Sequence, residues 1–383
     1  MDLQLSEEHE MIRRMAREFA QKEVAPLAAE IDEQARVPLA SITKMGELGF
    51  LGLIVAEEYG GAGADTIAYV VALEELARVC ASTATVMSVQ NSLVCQGLEL
   101  FGSEEQKQAH LPRLARGETL GAFALTEPEA GSDAAAQRTT ARRDGDSYVL
   151  NGTKHFITNG GFADLVLVFG TTEPSLGVRG ISAFIVEKGT PGFSVGREEH
   201  KMGIRGTSTC ELTFQDCRVP AGNQLGGEGQ GFRIALSLLD GGRIGIAAQA
   251  VGIAQGAFEA ALSYAQARRQ FGQPIASFQA IQWMLADMST RIEAARLLTY
   301  QAALAKDAAR KTGACYSREA AQAKLFASET AVWVTNRAVQ IHGGYGYMKE
   351  YPVERYYRDA KITEIYEGTS EVQRMVIAAA LLR

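Results

Sequence analysis

The apolar residues of this chain change their period twice. From residue 5 to about 117 they recur at helical spacing, with Ser6 as a fitting cap and Met11, Met15 and Phe19 on one face. Between Gly121 and about Gly227 the texture becomes short runs rich in Val, Thr, Phe and Ile. Ser147-Tyr148-Val149-Leu150, Asp164-Leu165-Val166-Leu167-Val168-Phe169, Ile181-Ser182-Ala183-Phe184-Ile185-Val186 and Cys210-Glu211-Leu212-Thr213-Phe214 read as strands, each bounded by Gly, Asn, Asp or Pro. No helix-length segment separates them, which predicts an antiparallel barrel or sandwich and argues against a doubly wound nucleotide fold. After Gly231 the helical pattern returns. It is clearest at Phe278, Ile281, Leu285, Met288, Ile292 and Ala295, whose steps alternate three and four as in a bundle seam. The expected architecture is α+β in three domains: a helical domain over residues 1–118, a β-barrel over 119–228 and a helical bundle over 229–383. Parts so different need a reason to meet, and a ligand lodged at the domain junctions would be one.

Composition narrows the partners. Thirty-eight basic residues against forty-five acidic ones give a net charge of −7 with no Lys/Arg run, so nucleic acid is disfavoured. The five cysteines (Cys80, Cys95, Cys210, Cys217 and Cys315) are odd in number and form no C-x-x-C pair, so they are expected as reduced thiols. The five histidines show no ligand spacing, and no metal site is expected. Asp2, Glu7 and Glu8 precede any apolar stretch, and no uninterrupted apolar run is long enough for a bilayer, so the expectation is a cytoplasmic protein with no membrane partner.

Several turns have residues suited to chemistry. Tyr366-Glu367-Gly368-Thr369 sets a carboxylate on a glycine hinge, and Ser370 with Gln373 has the S-x-x-Q spacing of a capping box, which predicts a helix start there. A solvated turn residue gives the same local pattern. Thr126-Glu127-Pro128-Glu129-Ala130-Gly131-Ser132-Asp133, led in by Phe123 and Leu125, offers hydroxyls and free N–H groups to a heterocycle or a phosphate, or is a plain surface loop. Asn151-Gly152-Thr153-Lys154-His155-Phe156-Ile157-Thr158-Asn159-Gly160-Gly161 is a hairpin signal followed by an aromatic that could cover a flat ring. The glycines of residues 226–231 fail the dinucleotide fingerprint and read as a linker. Asp240 and Arg243 form a charge pair in an apolar helix, where burial without a task is costly. Arg268, followed by Arg269, Gln270, Phe271 and Gly272, could meet a pyrophosphate or simply end a helix. Gln340-Ile341-His342-Gly343-Gly344-Tyr345-Gly346 presents more glycine than a C-cap needs, suiting close approach of a ligand.

In order and spacing, the motifs T-E-P-x-A-G-S-D, N-G-x-K-x-F-I-T-N-G, R-x-x-F-G, Q-x-x-G-G-x-G-Y and I-Y-E-G-T-S-E resemble the acyl-CoA dehydrogenase family along essentially the whole chain, and most closely its short-chain (butyryl-CoA) branch. The resemblance implies an α-helical domain, a central antiparallel β-barrel and a C-terminal four-helix bundle, with FAD at the junction and a homotetramer built as a dimer of dimers. It implies that Phe123, Leu125, Thr126, Phe156, Ile157 and Thr158 contact the flavin and its ribityl chain, with Ser132 near both FAD and the CoA pyrophosphate. Arg268, Phe271, Gln279, Gln340, Ile341, His342, Gly343 and Gly344 would reach the FAD of a neighbouring subunit, and Thr369 and Glu371 would also face FAD. Asp240, Arg243, Tyr366 and Gly368 would serve the acyl-CoA side.

Glu367 would be the base. Relatives acting on some branched or long chains carry their glutamate at the helix position matching Gly242 and lack one at E-G-T. Phe156 departs from the Trp of many relatives, though a ring face remains. The implied reaction removes an α-proton from a short-chain acyl-CoA at Glu367 and a β-hydride at flavin N5, giving a trans-2-enoyl-CoA, with electrons passed to an electron-transfer flavoprotein. The alternatives are an acyl-CoA oxidase, a branched short-chain acyl-CoA dehydrogenase, or a non-catalytic or DNA-binding flavoprotein of the same fold.

Overall fold

The computed structural model describes residues 4–382. Its first third comprises α1 (Glu7–Phe19), α2 (Ala28–Gln34), α3 (Leu39–Glu47), α4 (Thr66–Ala77), α5 (Ala81–Ser88), α6 (Gln96–Phe101) and α7 (Glu104–Ala115), with a π-helical stretch, Val89–Cys95, joining α5 to α6. At the start of α1, Ser6 Oγ accepts from the His9 N–H at 3.2 Å while the Ser6 N–H donates to His9 Nδ1 at 3.2 Å, a reciprocal cap. The buried face of α1 is Ile12, Ala16 and Phe19. Met11 and Met15, expected inside, are exposed. They sit one position round the helix from the true stripe, and methionine at the edge of a polar helix does not reveal which way the stripe turns. Every residue of α4 is buried, because α1 and two long helices of the last third, Gly231–Ala267 and Gln279–Thr312, pack around it.

The middle of the chain forms β1 (Gly121–Ala124), β2 (Thr140–Asp144), β3 (Ser147–Thr158), β4 (Leu165–Thr171), β5 (Ile181–Glu187), β6 (Phe193–Glu198), β7 (Thr209–Pro220) and β8 (Gln224–Leu225). They make one sheet in the order β6-β7-β3-β2-β4-β5-β8, with β1 added on β4. Tyr148, Leu150, Val166, Val168, Phe184, Leu212 and Phe214 fill the interior it wraps. Leu165, Leu167 and Phe169 point the other way, onto Leu93, Leu98 and Leu238 of the helical domains. With both faces of β4 covered, its sequence has no reason to alternate.

The antiparallel expectation holds for β2–β3, β3–β7, β4–β5, β5–β8 and β6–β7. It fails at two pairs: β1 lies parallel to β4 from Gly121↔Leu165 to Ala124↔Val168, and β2 meets β4 in parallel at Thr140↔Thr171. A parallel pair needs a long crossover. Between β1 and β4 the β2–β3 hairpin fills it, so no helical segment announced the pairing.

The last third holds α8 (Gly231–Ala267), a small hairpin of β9 (Arg269–Gln270) and β10 (Gln273–Pro274), α9 (Gln279–Thr312), α10 (Ser317–His342), α11 (Val353–Ile362) and α12 (Ser370–Leu381). By length and composition α8 is apolar enough to cross a membrane, although it has no uninterrupted apolar run of that length. Its polar residues are scattered, so no single run stands out, and 78% of its most apolar window is buried as the core of the bundle. The seam of α9 is buried at Met288, Ile292 and Ala295. One joint ties the three domains together. Arg358 on α11 donates to Asp32 Oδ1 and Oδ2 at 3.0 and 2.6 Å and to Met202 O at 3.0 Å, while the Ile204 N–H donates to Asp359 Oδ1 at 2.5 Å. It anchors the helix that delivers Glu367.

Candidate active site

Between α11 and α12 the chain turns through left-handed backbone at Glu367 (φ +51°) and Gly368 (φ +94°). For a residue with a Cβ this conformation costs about 1–3 kcal/mol and persists only where neighbours enforce it. Three side chains do so. Gln373 Nε2 donates to Glu367 O at 3.2 Å and Gly368 O at 2.8 Å, Lys324 Nζ donates to Gly368 O at 2.7 Å, and Ser328 Oγ donates to Thr363 O at 2.7 Å. The expected capping box on Ser370 is not formed. Thr369 is the cap, its Oγ1 accepting from the Val372 N–H at 3.3 Å, and Gln373 is spent on the turn. Ser370 already has helical backbone, which leaves its hydroxyl buried without a partner among the described residues.

Glu367 borders a cavity of about 290 Å³ to which all three domains contribute. The β-domain supplies Phe123, Leu125, Thr126, Ser132, Phe156, Ile157 and Thr158; the N-terminal helices supply Thr85, Ser88, Val89 and Leu93; the bundle supplies Leu239, Arg243, Ile246, Tyr366, Glu367 and Gly368. The Glu367 carboxylate oxygen Oε2 is shut off from solvent and has no hydrogen-bond partner among the described residues. Burial pushes its carboxyl up to about 7, against the opposing charges of Lys324 and Arg243. The Glu367 N–H engages no acceptor among the described residues. At Gly242 an added Cβ would sit 1.9 Å from Glu367 Oε2. The glycine therefore makes room for the carboxylate.

Arg243 is buried and paired to Asp240 at 2.5 Å, and Ser317 Oγ donates to the same aspartate. Arg243 Nε has no partner among the described residues, while Asp240 stands behind the arginine and does not line the cavity. Tyr366 OH donates to Gln249 Oε1, and Gln249 Nε2 donates to Thr85 Oγ1 at 2.8 Å, which fixes the tyrosine in the wall.

Across the cavity, Phe156 has φ +57° and is 60% exposed. Sequence reasoning gave no role to the pair that sets this wall. Lys154, fully buried, donates to Leu125 O at 3.0 Å, Glu127 Oε1 at 2.8 Å and Gln137 Oε1 at 2.8 Å, and Glu127 also accepts from the Arg138 and Thr139 N–H groups at 2.6 and 2.9 Å. The pair ties the Thr126 loop to the strand of Phe156. A lysine enclosed between Leu150 and Ile157 on a buried strand was the available signal. With an open ring face, the hydroxyls of Thr126, Ser132 and Thr158, and two orphaned polar atoms on the facing wall, the cavity fits a planar heterocycle such as a flavin set against a carbonyl compound.

The remaining sequence-chosen residues lie elsewhere. Arg268, Ile341, His342, Gly343 and Gly344 line a separate groove of about 560 Å³. There the Arg268 guanidinium lies 5.3 Å over the Tyr345 ring and His342 stacks on Tyr264 at 4.2 Å. Phe271 stands at the hairpin tip with φ +52°, 92% exposed. Gln279, Gln340 and Glu371 are exposed, and with Thr369 they border neither cavity. Thr369 and Glu371 follow Glu367 in its own turn and helix; within one chain the other positions are not brought to Glu367.

Comparison with known proteins matches three family models in register with this layout: the acyl-CoA dehydrogenase N-terminal domain over residues 6–118, the middle domain over 122–217 and the C-terminal domain over 229–382. The chain is 54% identical to the short-chain specific acyl-CoA dehydrogenase of Clostridium acetobutylicum, over all of both chains. It is 52% identical to the acryloyl-CoA reductase (NADH) of Anaerotignum propionicum, over 100% of this chain and 96% of that one. Among solved structures, butyryl-CoA dehydrogenase from Megasphaera elsdenii superposes with a TM-score of 0.97 at 49% identity over the full length of both. A chain from a structure described as the electron transferring flavoprotein of Acidaminococcus fermentans does so with 0.97 at 54%, again over both chains. A glutaryl-CoA dehydrogenase of Mycobacterium smegmatis in complex with FADH2 gives 0.92 at 35%, over 98% and 95%. With its whole length matched, and with a carboxylate, an open aromatic face and three domains converging on one cavity, this chain belongs to the acyl-CoA dehydrogenase family.

Proposed function

We propose that the protein is an FAD-dependent short-chain acyl-CoA dehydrogenase that yields a trans-2-enoyl-CoA and passes electrons to an electron-transfer flavoprotein. The observation that carries the reading is Glu367: a carboxylate on a turn braced by three side chains, with one oxygen closed to solvent and an open N–H beside it. Thr126, Ser132, Phe156 and Thr158 would hold the isoalloxazine and its chain. When bound, FAD supplies the acceptor for the β-hydride at N5.

The protein's own part is geometry and proton chemistry. The α-proton of a thioester is weakly acidic, so its removal requires a base already aimed and negative charge stabilised on the carbonyl oxygen. The Glu367 N–H donates to that oxygen as charge develops there. The carboxylate takes the α-proton, and its raised pKa matches a base working near neutrality. Tyr366, held by Gln249, and Leu93 line the cavity beside Glu367 and would be the wall that a short acyl chain meets.

We place the active form as a cytoplasmic homotetramer. Supporting this, Arg268 and residues 341–344 line a groove away from Glu367, Phe271 projects into solvent, and none of the five cysteines is in a disulfide. The likeness to an acryloyl-CoA reductase raises the reverse direction, in which Glu367 would return the α-proton. Anaerobic titration with butyryl-CoA, isobutyryl-CoA and octanoyl-CoA while following flavin absorbance tests the reading. Bleaching by butyryl-CoA at the lowest concentration is expected; a yellow protein bleached by none of them sinks it. Rapid reoxidation in air would identify an oxidase instead.

A further inference from the structure

The buried side of α10 is a stripe of alanines, Ala320, Ala323, Ala327 and Ala331, and set among them is Lys324, with no exposed surface. Lys324 and Ser328, one turn apart, grip the carbonyls of Gly368 and Thr363, the two ends of the segment carrying Glu367. Holding a carbonyl does not require a cation: Ser328 does it with a hydroxyl, and Gln373 holds the same Gly368 oxygen with an amide. Burying an ammonium is far more costly than burying either of those groups, so the charge itself needs a purpose.

The groups that face Glu367 are few. From α8 comes Arg243, already paired to Asp240; from α10, Lys324; from α4, the Tyr69 hydroxyl; and from its own turn, Tyr366. Glu364 and Glu371 act on Lys324 more weakly than Glu367 does. Arg243 is largely neutralised by its aspartate. Among the described residues that leaves Lys324 as the cation acting on Glu367 that has no carboxylate of its own.

We infer that Lys324 is a positioning residue with two tasks: its N–H holds the Gly368 carbonyl so that Glu367 keeps its left-handed turn, and its charge favours the ionised form of the Glu367 carboxylate against the burial that opposes it. The inference rests on the reading of Glu367 as the base. Burial lowers the lysine itself to about 8, with the charge of Glu367 opposing, so it remains a cation at neutral pH. A purely structural lysine would hold the turn without setting the ionisation of the base.

The test uses purified holoenzyme without substrate. The protonated Glu367 carboxyl is followed by infrared difference titration and assigned by its loss in Glu367→Gln. Lys324→Met and Lys324→Gln, the latter keeping an N–H donor, are each expected to raise the titration midpoint by about one pH unit or more. Lys324→Arg, which keeps the charge, is expected to leave it in place, and the acid limb of the kcat/KM profile should move in parallel. Bound flavin and melting temperature identify any variant that has merely misfolded. A midpoint unmoved in the Met and Gln variants, with activity reduced equally at every pH, overturns the inference. Because the infrared titration needs no turnover, it decides on Lys324 even if no acyl-CoA proves to be a substrate.

Discussion

Gly242→Ala puts a methyl group 1.9 Å from Glu367 Oε2, 2.9 Å from its Cδ and 3.2 Å from a Leu93 methyl. An ordinary contact begins near 3.4 Å, so the carboxylate oxygen must retreat by about 1.5 Å. Lys324 and Gln373 fix its main chain, so the retreat falls on the side chain and displaces the carboxylate within the cavity it borders. Misplacing a reacting group by about 1 Å costs on the order of 100-fold in rate, near 2.7 kcal/mol of barrier. Residue 242 lies within α8 at a helical φ and alanine is the better helix former, so fold and flavin content should survive. The assay is single-turnover flavin reduction by butyryl-CoA under anaerobic conditions, with flavin content and melting temperature measured on the same preparation. A flavin-loaded Gly242→Ala enzyme within about threefold of the parent rate would falsify the placement of Glu367 as the base.

Three further outcomes follow from the same geometry. Glu367→Gln should stabilise the protein at high pH: a carboxyl raised to about 7 in the fold favours folding below its unfolded value and loses that contribution as pH rises through 7, so the gain reaches about 3 kcal/mol at pH 8 and vanishes near pH 4, read from melting temperatures across that range. Lys154→Met strips the partner from the buried Glu127 carboxylate, at a cost of about 3–5 kcal/mol, and should release flavin as the Thr126 loop loosens; equal flavin occupancy and stability would contradict this. Phe156→Ala should lower flavin retention during gel filtration while Phe156→Trp keeps it, since a ring face is what the position supplies.

Period and punctuation made the three-domain order legible, because helices and strands repeat at 3.6 and 2 residues whatever they pack against. Glu367 stood out by its glycine hinge, and it was the family resemblance, with glycine at 242, that implied its role as the base. What could not be read was pairing at a distance. The parallel contact of β1 with β4 leaves no mark in either strand, since both are covered on two faces. The cap was misplaced by one residue because Gln373, a fitting partner for Ser370 in sequence, finds two better carbonyls in the turn. Lys324 and Lys154 carried a faint signal, a charge in an otherwise apolar stripe, but which oxygen each would meet depends on segments 44 and 29 residues away.

The proton step is isolated most cleanly by one experiment: anaerobic mixing of butyryl-CoA with flavin-loaded parent enzyme and with flavin-loaded Glu367→Gln. Rapid bleaching in the parent and a yellow variant that still binds the thioester are expected, a loss of at least about 100-fold for removing a general base. Bleaching of the variant at the parent rate would mean that another group takes the α-proton.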